Sequence, residues 1–386
     1  MAARGRRRRR KQVIRYFDYS LLAVMIFLMC FGLVMLYSTS SYDALMDYGD
    51  SMHYFKRQLV FSVLGIGVML MVATFPMFEY HKLAKLAQPA YAVAMVLMAM
   101  VQFTPFGVEV NGAKRWLKLG IQFQPSEVMK IAVILFIPYL ICRMGNKVHT
   151  RKGTFTVLGW GALAAAGVFF LTENLSTAII VMGIVCFILF VVHKKTKIFL
   201  YLAGGGAALL IGGSVVLGRL LENSTNFRLQ RIIAWLNPEK YASTTTFQTV
   251  QGLYAIGSGG FFGKGLGNGV QKMVIPEVQN DMILAAICEE LGVFGAIIVF
   301  LLFGLLLYRL LFIAQNAPDM YGSLVVLGIL SHIAIQVVLN VAVVTNSIPN
   351  TGITLPFISY GGTSTMFLLT EMGIALGVSR TIKLEE

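Results

Sequence analysis

Charge is scarce in this sequence. Only 13% of its 386 residues are Asp, Glu, Lys or Arg, while 57% are hydrophobic, and a soluble domain of ordinary composition carries about 25% charged residues. That composition excludes an ordinary soluble domain. Cysteine is rarer still: Cys30, Cys142, Cys186 and Cys288 stand singly, with no pair at metal-ligand spacing, so neither a disulfide framework nor a zinc site is indicated. They read as small buried hydrophobes. Of the five histidines only His332 falls inside an apolar run. The basic head, with Arg4, Arg6 to Arg10, Lys11 and Arg15, has no apolar h-region before a cleavage site. It reads as a retained tail, not a signal peptide.

What the chain has instead is apolar length. We read about ten spans from length and apolar continuity, at residues 19–38, 57–75, 88–104, 126–143, 154–171, 174–192, 198–218, 282–308, 322–346 and 364–380. The expected fold class is an all-α polytopic membrane protein: a basic tail at 1–18, a transmembrane domain at 19–380 and a short tail at 381–386. Cations orient it. The head is basic, and the even-numbered returns carry Lys82 and Lys85, then Arg143, Lys147, Arg151 and Lys152, then Lys194, Lys195 and Lys197, then Arg309, then Arg380 and Lys383. Both termini are therefore expected in the cytoplasm, with a large extracytoplasmic loop at 220–281 between spans seven and eight. The formal charge of +14 is then accounted for by topology and anionic lipid, and no nucleic-acid partner is expected.

Two outer loops break the positive-inside pattern. Loop 105–125 holds Lys114, Arg115, Trp116 and Lys118, which either meet an anionic partner or snorkel onto lipid phosphates. Loop 220–281 is neither acidic nor low in complexity, so it is expected to fold back on the bundle as a structured lid. Phe227, Ile232, Ile233, Trp235 and Leu236 recur at helical spacing before Pro238, which predicts a short interfacial helix with its apolar face down. Arg228 and Arg231, a turn apart on it, could bind a phosphate or snorkel. The glycine-rich stretch from Gly257 to Gly269 lacks the Ser or Thr that follows Gly-Lys in a nucleotide loop. It is read as tight turns and close backbone approach, with amides available to an anion.

Polar groups within the spans collect at the outer side. Arg57 and Gln58 open the second span, Glu127 and Lys130 share a face of the fourth, Glu173 lies between the fifth and sixth, and Asp281 enters the eighth. A charge in lipid costs at least about 2.5–3.5 kcal/mol, so Asp281 with Glu289 and Glu290 implies a protein-lined, water-accessible site. Glu289 and Glu290 fall about 12–14 Å deeper along a helix than Asp281, which suits structural or cation-pairing roles. His332, Gln336 and Asn340 form an i, i+4, i+8 ridge that is expected to glue helices together. Acids and cations gathered at one interface suit an amphiphilic anion whose tail stays in lipid, and a lipid-linked phosphate is the natural candidate.

Five blocks then carry a resemblance. Asn111-Gly112-Ala113-Lys114-Arg115-Trp116, Gln124-Pro125-Ser126-Glu127 with Lys130, Gly252-Leu253-Tyr254-Ala255-Ile256-Gly257-Ser258-Gly259, Ile275-Pro276-Glu277 to Asp281 with Glu289-Glu290-Leu291-Gly292, and Leu355-Pro356-Phe357-Ile358-Ser359-Tyr360-Gly361-Gly362 resemble the signature blocks of the SEDS family. The resemblance covers nearly the whole chain after the basic head. Asn280-Asp281-Met282 and Ile348-Pro349-Asn350-Thr351-Gly352 look more similar to the division branch of that family than to its elongation or sporulation branches.

The resemblance implies a ten-span peptidoglycan glycosyltransferase of the bacterial cell membrane, placed at the division septum. It would polymerise lipid II on the outer face beside a class B penicillin-binding protein and other divisome membrane proteins. It implies that Asp281 is the essential acid, which we read as the base for the acceptor sugar hydroxyl. Lys114, Arg115, Arg228 and Arg231 are expected at the pyrophosphate, and Arg57, Glu127, Lys130 and Ser359 complete the substrate-binding set. A divalent cation, Mg or Mn, is a candidate helper, and no organic cofactor is expected. Many relatives have an Asp-Leu-Gly-Thr block where this chain has Glu173-Asn174-Leu175-Ser176-Thr177. No role is therefore carried onto Glu173, and Ser176 and Thr177 are read as helix-packing residues. Two other classes of function stay open: a lipid II transporter, for which polar groups at both ends of a pathway or broken helices near the midplane would be expected, whereas the polar residues here cluster at one end and favour an enzyme; and a noncatalytic division scaffold, which leaves Asp281 unexplained.

Overall fold

The computed structural model describes residues 14–75, 79–110, 112–194, 227–244 and 246–384, with isolated positions between 196 and 216. The expected seventh span at 198–218 and most of the basic head lie outside the described residues. Eight described helices are long and apolar enough to cross a membrane. Six come first: α1 (Tyr19–Tyr48), α2 (His53–Thr74), α3 (Tyr80–Phe103), α4 (Pro125–Met144), α5 (Arg151–Leu171) and α6 (Leu175–Val192). Two shorter helices follow, α7 (Phe227–Leu236) and α8 (Phe247–Gly259). The long α9 (Ile283–Asn316) and α10 (Met320–Val344) are followed by the shorter apolar α11 (Thr363–Ser379).

Local chemistry sets the ends. Asp18 caps α1 by accepting from the Leu21 amide at 2.8 Å, and the Arg309 guanidinium grips the same carboxylate at 2.7 and 3.1 Å, tying the start of α1 to α9. Strand β1 (Ile14–Arg15) pairs with β5 (Lys383–Leu384), so the segments just before α1 and just after α11 meet. Helix α1 runs ten residues beyond its expected end at 38 because Thr39 and Ser40 return their hydroxyls to the carbonyls of Met35 (2.8 Å) and Leu36 (2.7 Å). Satisfied in this way, the small polar residues do not stop the helix.

Two features depart from the sequence reading. Loop 105–125 is a three-stranded antiparallel sheet of β2 (Gly107–Val110), β3 (Ala113–Leu119) and β4 (Ile121–Phe123), not an irregular loop. Loop 220–281 is not simply a lid either. Helix α8 packs along the first half of α9, the glycine-rich stretch turns at its foot, and the chain climbs back to Asp281. There α9 is broken at Gly292, whose φ is +68° and ψ −165°. The backbone groups freed by the break are taken up by the glycine stretch: Lys264 and Gly265 amides donate to the Glu289 and Glu290 carbonyls at 2.9 Å, and Val293 and Phe294 amides donate to Gly260 and Phe261 at 3.0 Å. A Cβ at Gly263 would lie 2.2 Å from the Glu290 carbonyl oxygen. Only glycine permits that approach, and only such pairing lets non-helical backbone exist at this depth.

The same hairpin settles Glu289 and Glu290. Glu289, fully buried, pairs with Lys264 at 2.7 Å and accepts from the Val270 and Gln271 amides at 3.0 Å. Glu290, also fully buried, pairs with Lys272 at 2.8 Å and accepts from Ser38 of α1 and the Gly267 amide. The anion met by the glycine-rich amides is thus an internal one, and cation pairing is what the two glutamates do.

Candidate active site

The segment that ends in Asp281 is held from several sides. Ile275 and Val278 are buried anchors, and Glu277 bends the chain with a φ of +50° while its carboxylate accepts from Asn280 at 2.9 Å. Asn340 of α10 donates to the Asp281 carbonyl at 2.8 Å and to the Ile353 carbonyl at 2.7 Å. Across the mouth, the Tyr360 amide donates to the Gln279 carbonyl at 2.9 Å. Gln58 of α2 accepts from the amides of Gly361 (3.3 Å) and Gly362 (3.1 Å) and donates to Thr365 at 3.0 Å, which fixes the turn into α11.

Asp281 itself is only 8% exposed. Burial raises its carboxyl above the ordinary aspartate range and nearby Glu277 adds to the rise, while a hydrogen bond with Asn350 and the charge of Arg231 act against it. Arg231 of α7 is in turn lowered by burial, with the Asp281 charge opposing, and its guanidinium donates to the Asn350 carbonyl at 3.4 Å. Arg231 and Asn350 share the wall of a small polar cavity of about 60 Å³. Helix α7 is seated on protein, with Ile233 and Ala234 buried and the Trp235 indole donating to the Asn346 carbonyl at 2.9 Å. A buried carboxylate raised in this way takes up a proton more readily than an ordinary aspartate.

A second, much larger cavity of about 500 Å³ opens beside this segment, with Glu277 and Asn280 in its wall. Arg57, Arg115, Glu127 and Lys130 line it. Arg57 stands against the Tyr360 hydroxyl, and Arg115 reaches from β3 to the Glu173 carbonyl at 3.4 Å. Glu127 and Lys130, 8% and 2% exposed, form an i, i+3 ion pair at 2.8 Å. Chemically the cavity offers cations for a phosphate and neutral amides and hydroxyls for a sugar; Asp281 is not in its wall but adjoins Asn280, which is.

Comparisons with known proteins give the family and the fold. Residues 18–384 match the family model FTSW_RODA_SPOVE, described as "Cell cycle protein". The chain belongs to this family. It is 38% identical to "Stage V sporulation protein E" of Bacillus subtilis over 366 residues, covering 94% of this chain and 97% of that protein. It is 35% identical to "Probable peptidoglycan glycosyltransferase FtsW" of the same species over 383 residues, covering 97% of this chain and 94% of that protein. Among solved structures, a chain from a study of polymerization and crosslinking by a peptidoglycan synthase complex superposes with a TM-score of 0.76 at 26% identity, covering 94% of this chain and 98% of that one.

Within this family fold the expected site residues separate. Asp281 and Arg231 come together, and Arg57, Arg115, Glu127 and Lys130 share the large cavity. Lys114 does not line it: it sits opposite Glu109 in the β2–β3 ladder. Ser359 is 3% exposed and accepts from the Leu355 amide at 2.8 Å, so it holds a turn. The side chain of Arg228 lies outside the described residues. Ser176 and Thr177, read as packing residues, line the cavity instead, with Ser176 donating to the Thr351 carbonyl at 2.8 Å. Gln58, Asn340 and Asn350 were not among the expected site residues. All three are neutral amides whose roles depend on loop carbonyls and amides that the sequence does not place.

Proposed function

We propose that this chain is a peptidoglycan glycosyltransferase that polymerises lipid II on the extracytoplasmic face. The observation that carries the reading is the buried Asp281 carboxylate, held against Arg231 and Asn350 in the segment whose Glu277 and Asn280 wall a cation-bearing cavity of about 500 Å³. The acceptor sugar hydroxyl attacks the anomeric carbon of the donor, the bond from that carbon to the pyrophosphate oxygen breaks, and Asp281 takes the hydroxyl proton. Arg57 and Arg115 meet the departing pyrophosphate. Lys130 adds little net charge, because Glu127 already neutralises it at 2.8 Å.

A divalent cation suits the chemistry, since it would neutralise pyrophosphate charge when bound. Among the described residues no three His, Cys, Asp or Glu side chains converge. Likeness to a chain from a peptidoglycan synthase complex supports a class B penicillin-binding protein as partner. A septal site of action is supported by the FtsW relative, whereas the sporulation relative at 38% identity supports a sporulation role for the same chemistry.

The test is glycan-strand formation from purified lipid II by this protein in bilayers, with and without the class B partner. Labelled polymer from the pair is expected. Lipid transport is a second reading favoured by one observation, the break of α9 at Gly292, of the kind transporters use. No polymer, together with lipid II changing leaflets in proteoliposomes, would favour transport.

A further inference from the structure

In the polar ridge of α10, His332 meets Glu371 of α11 at 2.8 Å and so joins two helices as expected, whereas the other two members do something else. Gln336 donates to the Thr354 carbonyl at 3.0 Å, and Asn340 donates from one amide nitrogen to two carbonyls, those of Asp281 and Ile353. Both residues therefore grip loop backbone. Asn340 differs from Gln336 in that one of its two carbonyls belongs to the buried acid itself. Two carbonyls can only accept, so the amide orientation is forced: nitrogen toward the loops, oxygen away. That oxygen has no hydrogen-bond partner among the described residues, although Asn340 is fully buried. An apolar residue of the same size would avoid that unpaired oxygen, so packing alone does not account for an asparagine here.

We propose that Asn340 is a positioning residue for Asp281: by joining the Asp281 and Ile353 carbonyls it fixes the acid-bearing segment against the 346–355 loop that carries Asn350. The inference rests on the glycosyltransferase reading above. The carboxylate faces Arg231 of α7, Asn350 of the loop after α10 and Glu277 of its own segment. Each of these contacts requires the Asp281 backbone to stay where Asn340 holds it. Released, the carboxylate gains water, its proton affinity falls toward the ordinary range, and its hold against Arg231 and Asn350 loosens.

The test uses full-length Asn340→Leu and Asn340→Ser with the class B partner in bilayers, and Gln336→Leu as a control that removes a bond to the same loop but none to Asp281. Displacement of a reacting group by about 1 Å can cost on the order of 100-fold. We expect both Asn340 variants to lose about 10- to 100-fold in kcat with KM little changed. We also expect the acid limb of their pH–rate profiles to move to lower pH, and that of Gln336→Leu to stay in place. A wild-type limb position in the Asn340 variants would overturn the proposal, as would loss of folding in both, which would make Asn340 structural glue. If the wild-type pair itself makes no polymer, the glycosyltransferase reading has failed instead, and that outcome is visible before any variant is compared.

Discussion

Replacing Lys272 by Met cuts the lock that closes the re-entrant hairpin. The change removes Nζ contacts to the Glu290 carboxylate (2.8 Å), the Gly267 carbonyl (2.7 Å) and the Ser38 hydroxyl (3.3 Å). Glu290 keeps Ser38 and the Gly267 amide but is left as a fully buried charge without its cation. At this separation the attraction in bulk water would be about 1.5 kcal/mol, whereas removing one member of a buried pair costs about 3–5 kcal/mol. The larger figure applies, because Glu290 and Lys272 are 0% and 5% exposed. In the double variant Lys272→Met with Glu290→Gln no charge is stranded, so most of the loss is expected to return. Thermal unfolding of the three proteins at fixed detergent and lipid reads this out: the single variant should melt lowest and the double should recover more than half the difference. Equal melting of Lys272→Met and wild type, or a double variant that melts no higher than Lys272→Met, would refute the buried-lock account.

Three further outcomes are expected. Arg231→Met removes a charge that opposes the rise of the Asp281 carboxyl, so that carboxyl should hold its proton to higher pH and the acid limb of turnover should shift upward; a shift downward would contradict the contact. Arg115→Lys keeps charge but loses the planar fork, so lipid II turnover should fall clearly, and further in Arg115→Ala; full activity in Arg115→Lys would favour snorkelling. Cysteine introduced at the exposed Ser243 should react with a membrane-impermeant thiol reagent in intact cells, and labelling only after lysis would invert the topology.

The spans were legible because an apolar run of about 20 residues, wound as a helix, matches the thickness of a hydrocarbon core. Helix α8 escaped that test: its 13 residues reach only about 20 Å, short of a hydrocarbon core of about 30 Å. The break at Gly292 was not legible even though Glu289 and Glu290 interrupt the apolar run just before it, since a glycine there looks the same whether the helix continues or another segment replaces its bonds. The outer sheet was missed because three cations in Ala113–Leu119 obscure the alternation that marks a strand. At the site, Arg57, Arg115, Glu127, Lys130 and Asp281 were legible as charges at the outer ends of spans. Gln58, Asn340 and Asn350 were not, because an amide within or beside an apolar run carries no sign of whether it binds a helix or a loop carbonyl.

Asp281→Asn tests the central claim most directly, because it preserves the size of the side chain while removing the carboxylate that takes the proton. The measurement is glycan polymer formed from lipid II by the purified wild-type and variant complexes, with melting and partner binding followed in parallel. Turnover is predicted to fall about 100-fold or more, with melting and partner binding unchanged; near-normal polymer from a well-folded Asp281→Asn complex would remove Asp281 from the mechanism.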